Sequence, residues 1–124
     1  MGRTPYRLPE TLSASLQRAF AGEVAERLPR LLAATERLTD TAGAAGQVVS
    51  DAHALASSAA VVGVDAAAHA ARACEQLLSP YAANGDVPVA VADRAVDAAE
   101  TMRAALAAWQ DARSNLAHPV AESA

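Results

Sequence analysis

Apolar residues recur at helical spacing through most of the chain, and short polar or proline-containing breaks divide them. From about Thr11, Leu16, Phe20, Val24, Leu28, Leu31, Thr35 and Leu38 return every three or four positions, which lines one face of a helix. Pro29 falls within this run and predicts a kink, because proline removes a backbone donor and crowds the preceding turn. The stretch TDTAGAAGQ (Thr39–Gln47) reads as a turn. A second face follows with Val48, Ala52, Leu55, Ala59 and Val62, and Gly63 is placed to end that helix. Asp65 is placed to cap a third helix, which turns Ala67, Ala71, Cys74 and Leu78 inward and stops at Pro80. PYAANGDVP is a turn-rich loop, and a last helix from near Pro88 carries Ala92, Val96, Ala99, Met102, Leu106 and Trp109 inward. No stripe runs through residues 1–9 or through Ser114–Ala124. The expected organisation is an N-terminal arm (1–9), a helical bundle (10–113) and a flexible tail or linker (114–124). The expected fold is all-α, an antiparallel four-helix bundle with a kinked first helix.

Composition sharpens this picture. Hydrophobic residues make up 52% of the 124 positions but aromatics only 3%, so the apolar total is mostly alanine. Alanine is the strongest helix former and a poor filler of space, which favours closely spaced helices over a sheet. A net charge of −4 argues against a nucleic-acid surface, which needs a basic face. The longest charge-free apolar stretch, Ala52 to Val64, is too short to span a bilayer and contains a histidine and two serines. MGRTPYRLPE has no apolar signal core, and a single cysteine suits a reducing compartment. The expectation is a cytoplasmic protein that binds neither membrane nor nucleic acid and is monomeric as an isolated domain. No Gly-rich phosphate loop and no metal-ligand spacing occurs, so neither cofactor nor metal is expected.

One residue of the second helix departs from its surroundings. With Leu55 at the centre of the apolar stripe, His53 falls roughly 160° away around the helix. Val49, Ser57 and Ala60 share its side. The imidazole therefore faces outward over small residues. Such a histidine is either a plain solvated side chain or a group presented to another protein. His69 and His118 have no comparable setting, and Cys74 falls on the core stripe, where packing is the simpler role.

Aligned on His53, the segment HALASSAAVVG (His53–Gly63) resembles the signature of the histidine-containing phosphotransfer domain. That signature is His, any residue, Leu or Ile, Lys, Gly, Ser/Gly/Ala, Ser/Ala, three variable residues and Gly. His53, Leu55, Ser58, Ala59 and Gly63 match it. Upstream, AFAGEVAERLPRLL resembles the opening helix of the N-terminal phosphotransfer domain of chemotaxis-type histidine kinases at Phe20, Glu23, Glu26 and Leu28. Downstream, CEQLL resembles the His-x-x-Glu-x-x-Leu element of the same domains, with Glu75 on the glutamate. The NGD at 84–86 sits near their basic-Gly-acidic loop. The resemblance covers about residues 15–110.

The resemblance implies a phosphotransfer module of a two-component phosphorelay. His53 would accept a phosphoryl group from the ATP-binding domain of a histidine kinase and pass it to an aspartate on a response-regulator receiver domain. Glu75 would hold the other ring nitrogen. Without the family pattern, Glu75 reads as a solvated acid beside Arg72. Two positions depart from the signature: its lysine is Ala56 here, and the following glycine is Ser57. Arg72, where chemotaxis-type domains have a second histidine, is either a replacement cation for the phosphate or an i,i+3 partner of Glu75. Ala56, Ser57 and Ala60 are the expected docking surface. Lacking a nucleotide motif, the chain is not expected to phosphorylate itself, although it fits a piece of a larger kinase as well as a free-standing carrier. Two alternatives remain: a degenerate member that docks regulators without being phosphorylated, and an Ala-rich helical adaptor or dimerisation module with an incidental histidine.

Overall fold

The computed structural model describes residues 10–83 and 86–117, and every structural statement below concerns these. Four α-helices follow one another: α1 (Glu10–Thr35), α2 (Ala44–Val62), α3 (Asp65–Leu78) and α4 (Val89–Ala117), with a 3-10 turn, Ser79–Tyr81, after α3. No strand occurs among the described residues. α2 packs on α1 and on α3, α3 packs on α4, and α4 returns to α1. Short connections reverse the chain each time, giving the antiparallel four-helix bundle that the stripes predict.

The core is built around alanine. Phe20, Val24, Leu31, Leu38, Val48, Leu55, Leu78, Met102 and Leu106 supply its bulk, and Ala52, Ala56, Ala59, Ala67, Ala71, Ala95 and Ala99 fill the seams. Small side chains at the seams let helix backbones approach closely. Gly46 does the same at one end of the bundle, since a Cβ there would stand 3.1 Å from the Ala82 carbonyl oxygen. Near the other end Phe20 meets Trp109 with ring centroids 5.0 Å apart.

Several boundaries differ from the sequence reading, each for a local reason. Pro29, where the sequence predicts a kink and not an end, lies inside α1 on its exposed side, and the helix runs on to Thr35. The turn comes earlier than expected, because α2 already begins at Ala44, so Gly46 serves close packing. Gly63 does end α2, in the left-handed conformation at φ 83°. Its amide donates to Ala60 O and that of Val64 to Ala59 O, satisfying carbonyls that the helix end leaves free. Asp65 is the first residue of α3 and not its cap; Val64 holds that position with no side-chain bond. Val96 was expected inside but is 43% exposed, while Ala95 is fully buried. The smaller residue faces α3, where the Cys74 thiol donates to the Ala95 carbonyl at 3.6 Å. α4 continues through the expected tail to Ala117, with the Arg113 guanidinium 5.4 Å from the Trp109 ring centre. The Asn-Gly at 84–85, the arm 1–9 and residues 118–124, including His118, lie outside the described residues.

Candidate functional site

α2 and α3 are joined by only two residues and pack along Ala56, Ala59, Ala67 and Ala71. Because so little side chain separates them, residues on their outer edges reach across the seam. His53 Nδ1 lies 2.9 Å from Glu75 Oε2. A carboxylate oxygen accepts, so the proton of this pair belongs to Nδ1, and in the neutral ring Nε2 carries the lone pair. The histidine side chain is 69% exposed and that of Glu75 28%. Glu75 is thus held against the protein while the ring projects outward.

Ala56, Ser57, Arg72, Gln76 and Ser79 complete a shallow depression of about 240 Å³ around this pair. Two of its hydroxyls are committed to backbone: Ser57 Oγ donates to His53 O at 3.1 Å and Ser79 Oγ to Glu75 O at 2.7 Å. Arg72 is exposed, and among the described residues it forms no ion pair; Glu75 turns to His53 instead. The i,i+3 pairing considered for Arg72 is therefore not formed, and its guanidinium is left to the depression.

The remaining sequence-predicted residues fall as follows. Ser57 and Ala60 are exposed on the His53 side of α2. Ala56, expected on the docking surface, is only 3% exposed, because it faces the α3 seam; it forms the floor of the depression rather than its rim. His69 is exposed on α3 with no side-chain partner among the described residues. Cys74 is wholly buried, and burial pushes its thiol up to about 11, so it stays protonated and serves packing. No helix among the described residues is long and apolar enough to cross a membrane. No group of three or more His, Cys, Asp or Glu side chains among them is placed to hold a metal ion.

The Hpt domain family model matches residues 15–115. The chain belongs to the Hpt domain family. Hpt domains serve phosphotransfer in two-component phosphorelays and interact with kinases and response regulators. No curated protein matches the chain, and no solved structure does.

Sequence reasoning missed one polar centre of this Hpt domain. Asp51 is fully buried on α2, two residues before His53. Its Oδ1 accepts from Arg27 Nη1 at 3.0 Å and Arg30 Nη2 at 2.8 Å, and its Oδ2 from Arg30 Nε at 3.0 Å and Gln47 Nε2 at 2.8 Å. Burial pushes this carboxyl up, but the hydrogen bonds from Arg30, Gln47 and Arg27, with the Arg30 charge, outweigh it and hold the group below its ordinary value. The signal was present in the sequence. Asp51 stands three residues after Val48 and four before Leu55, on the apolar stripe itself, and an acid there needs a cationic partner.

Proposed function

We propose that His53 is the phosphoacceptor of this Hpt domain, receiving a phosphoryl group from a kinase ATP-binding domain and passing it to a receiver aspartate. The observation that carries this is the 2.9 Å contact of Nδ1 with Glu75 on an exposed ring, which leaves Nε2 as an outward nucleophile. In the first step Nε2 attacks the γ-phosphorus of ATP, an N–P bond forms, the P–O bond to the β-phosphate breaks, and ADP leaves. The ring is then a phosphoimidazole whose positive charge Glu75 offsets through Nδ1–H, as a carboxylate supports the imidazolium of a hydrolase triad. In the second step a receiver carboxylate oxygen attacks phosphorus, the N–P bond breaks, and neutral imidazole is restored. Most of the charge neutralisation comes from the partner that brings or takes the phosphoryl group. Arg72 supplies a cation from this side. Ser57 and Ala60 give a docking partner a low, unobstructed surface, floored by Ala56.

Incubation of the chain with a histidine-kinase core and ATP should give acid-labile phosphate on His53, which a receiver domain then removes. Absence of any label across several kinase cores would favour the degenerate docking module, for which the missing signature lysine at Ala56 is the specific support.

Glu75→Ala should slow phosphorylation at least about tenfold, because the ring loses the partner that sets its tautomer and orientation. Stability should change by no more than about 0.5 kcal/mol, since the site lies at the surface. An unchanged rate in stopped-flow labelling would return Glu75 to the role of a solvated acid.

Arg72→Ala should also slow labelling. Ala56→Lys should speed labelling of the folded fraction, because a stem rising from the floor of the depression can place its ammonium beside His53, while the burial of Ala56 in the α2–α3 seam makes the variant less stable. One exposed charge near a phosphate is worth about 1 kcal/mol, so the gain is several-fold. It should be larger in the Arg72→Ala background. Indifference to both changes would mean that the partner alone neutralises the phosphate.

The resemblance of Phe20–Leu28 and of Arg72–Leu78 to chemotaxis-type domains supports a place in a kinase of that kind, a free-standing carrier being the other form. The exposed large apolar residues Val61, Val89 and Val96 are scattered over α2 and α4, which supports a monomeric domain. The single buried cysteine supports a cytoplasmic setting.

A further inference from the structure

Asp51 and His53 occupy nearly opposite sides of α2, about 160° apart. The outward side carries the phosphoacceptor reading; the inward side carries a directional polar clamp onto α1. Around that clamp the buried face of α2 is mostly alanine, namely Ala44, Ala45, Ala52, Ala56 and Ala59, with Val48 and Leu55. Methyl groups give a smooth surface, and a helix packed through them can rotate by some degrees without losing much contact. The three hydrogen bonds that Arg27 and Arg30 donate from α1 to this carboxylate cannot follow such a rotation, whereas the fourth, from Gln47, lies within α2 and turns with it. A buried polar group that fixes register at some cost in stability is the best-attested use of such groups in helical assemblies.

We infer that Asp51 is a positioning residue for His53: its clamp to Arg27 and Arg30 sets the rotation of α2 about its own axis and so aims Nδ1 at Glu75. The lever is short. An imidazole nitrogen lies about 6 Å from the helix axis, so a rotation of about 20° carries it about 2 Å. That displacement is enough to break a hydrogen bond of 2.9 Å. The inference rests on the phosphotransfer reading only for its consequence in phosphorylation rate; the tautomer of His53 is measurable with no kinase present.

The test is ¹⁵N NMR of the histidine side chains in the full chain, at a pH above the imidazole titration. The parent should show His53 protonated at Nδ1, with a pyridine-type Nε2. The triple variant Asp51→Leu, Arg27→Met, Arg30→Met replaces the charges with apolar side chains, an exchange that buried ion clusters tolerate with equal or greater stability. It should stay folded yet lose most of the Nδ1–H form, moving toward the Nε2–H form that an unconstrained imidazole favours. Arg30→Gln, at a residue whose side chain is 46% exposed, removes two of the four bonds and should give a smaller shift in the same direction. Should either folded variant keep the parental Nδ1–H signature, alanine packing alone sets the rotation and the inference falls. Labelling by a kinase core should fall in step with the Nδ1–H fraction, and a labelling rate that ignores the tautomer would also overturn it. A parent that no kinase labels would strike the phosphotransfer reading and leave the tautomer test standing.

Discussion

Exchange of His53 for glutamine should abolish phosphoryl labelling of the chain, whereas His69→Gln and His118→Gln should leave it intact. Glutamine keeps the length, polarity and helix propensity of the position. Its amide can still donate to Glu75, and the side chain is largely exposed. The bundle should therefore hold within about 0.5 kcal/mol. What glutamine lacks is a nucleophilic nitrogen, because the amide lone pair is delocalised into its carbonyl. The loss should then be complete and not partial, read as acid-labile phosphate after incubation with a kinase core and ATP. His69 is exposed too, but among the described residues no carboxylate holds either of its ring nitrogens. Exposure is common to both histidines; the proposed phosphoacceptor is the one whose Nδ1 is held by a carboxylate beside a hollow. Label persisting in the His53 variant would show that another residue carries the group.

Asp51→Ala should be the most destabilising single change at a polar position. Alanine removes one partner of a buried ion cluster and leaves Arg27 and Arg30 without their acceptor. Breaking such a pair costs about 3–5 kcal/mol. The two arginine side chains are 30% and 46% exposed and can turn toward water, which places the expected loss near the lower end, about 3 kcal/mol. In a domain of this size that lowers the melting temperature on the order of 10 °C. The effect has a pH signature of definite sign. The Asp51 carboxyl lies below its ordinary value in the folded bundle, so its contribution is fully present above the unfolded carboxyl range, near pH 4. It is lost as pH falls below that range through the folded value. The stability gap between parent and Asp51→Asn should thus be constant near neutrality and shrink in acid. A gap that widens on acidification would mean that the carboxyl is not held ionised by its arginines.

The fold was legible because alanine-rich stripes of helical period leave few alternatives, and because Gly63 and Pro80 mark the ends of α2 and α3. The errors came where two residues competed for one face. Val96 has the greater apolar surface, so periodicity put it inside; the bundle buries Ala95 instead, on the side where its carbonyl accepts from the buried Cys74 thiol. The helix ends shifted for other reasons: α4 had no breaker before Pro119, and Gly46, which looked like a turn residue, lies within α2 where it approaches Ala82. Asp51 was overlooked although it stood on the stripe, because an acid inside a helix invites the assumption of a solvated face.

For the site, sequence by itself determined that His53 points away from the core, since that follows from the angle per residue in one helix. It also determined the register of His53, Gly63 and Glu75 that resembles a phosphotransfer domain. Whether Glu75 touches the ring, which nitrogen is left free, and whether Arg72 pairs with Glu75 or faces the depression depend on the distance between α2 and α3. Only the tertiary structure decided these. That distance is set by alanines buried from both helices at once, and periodicity within either helix carries no information about the spacing between them.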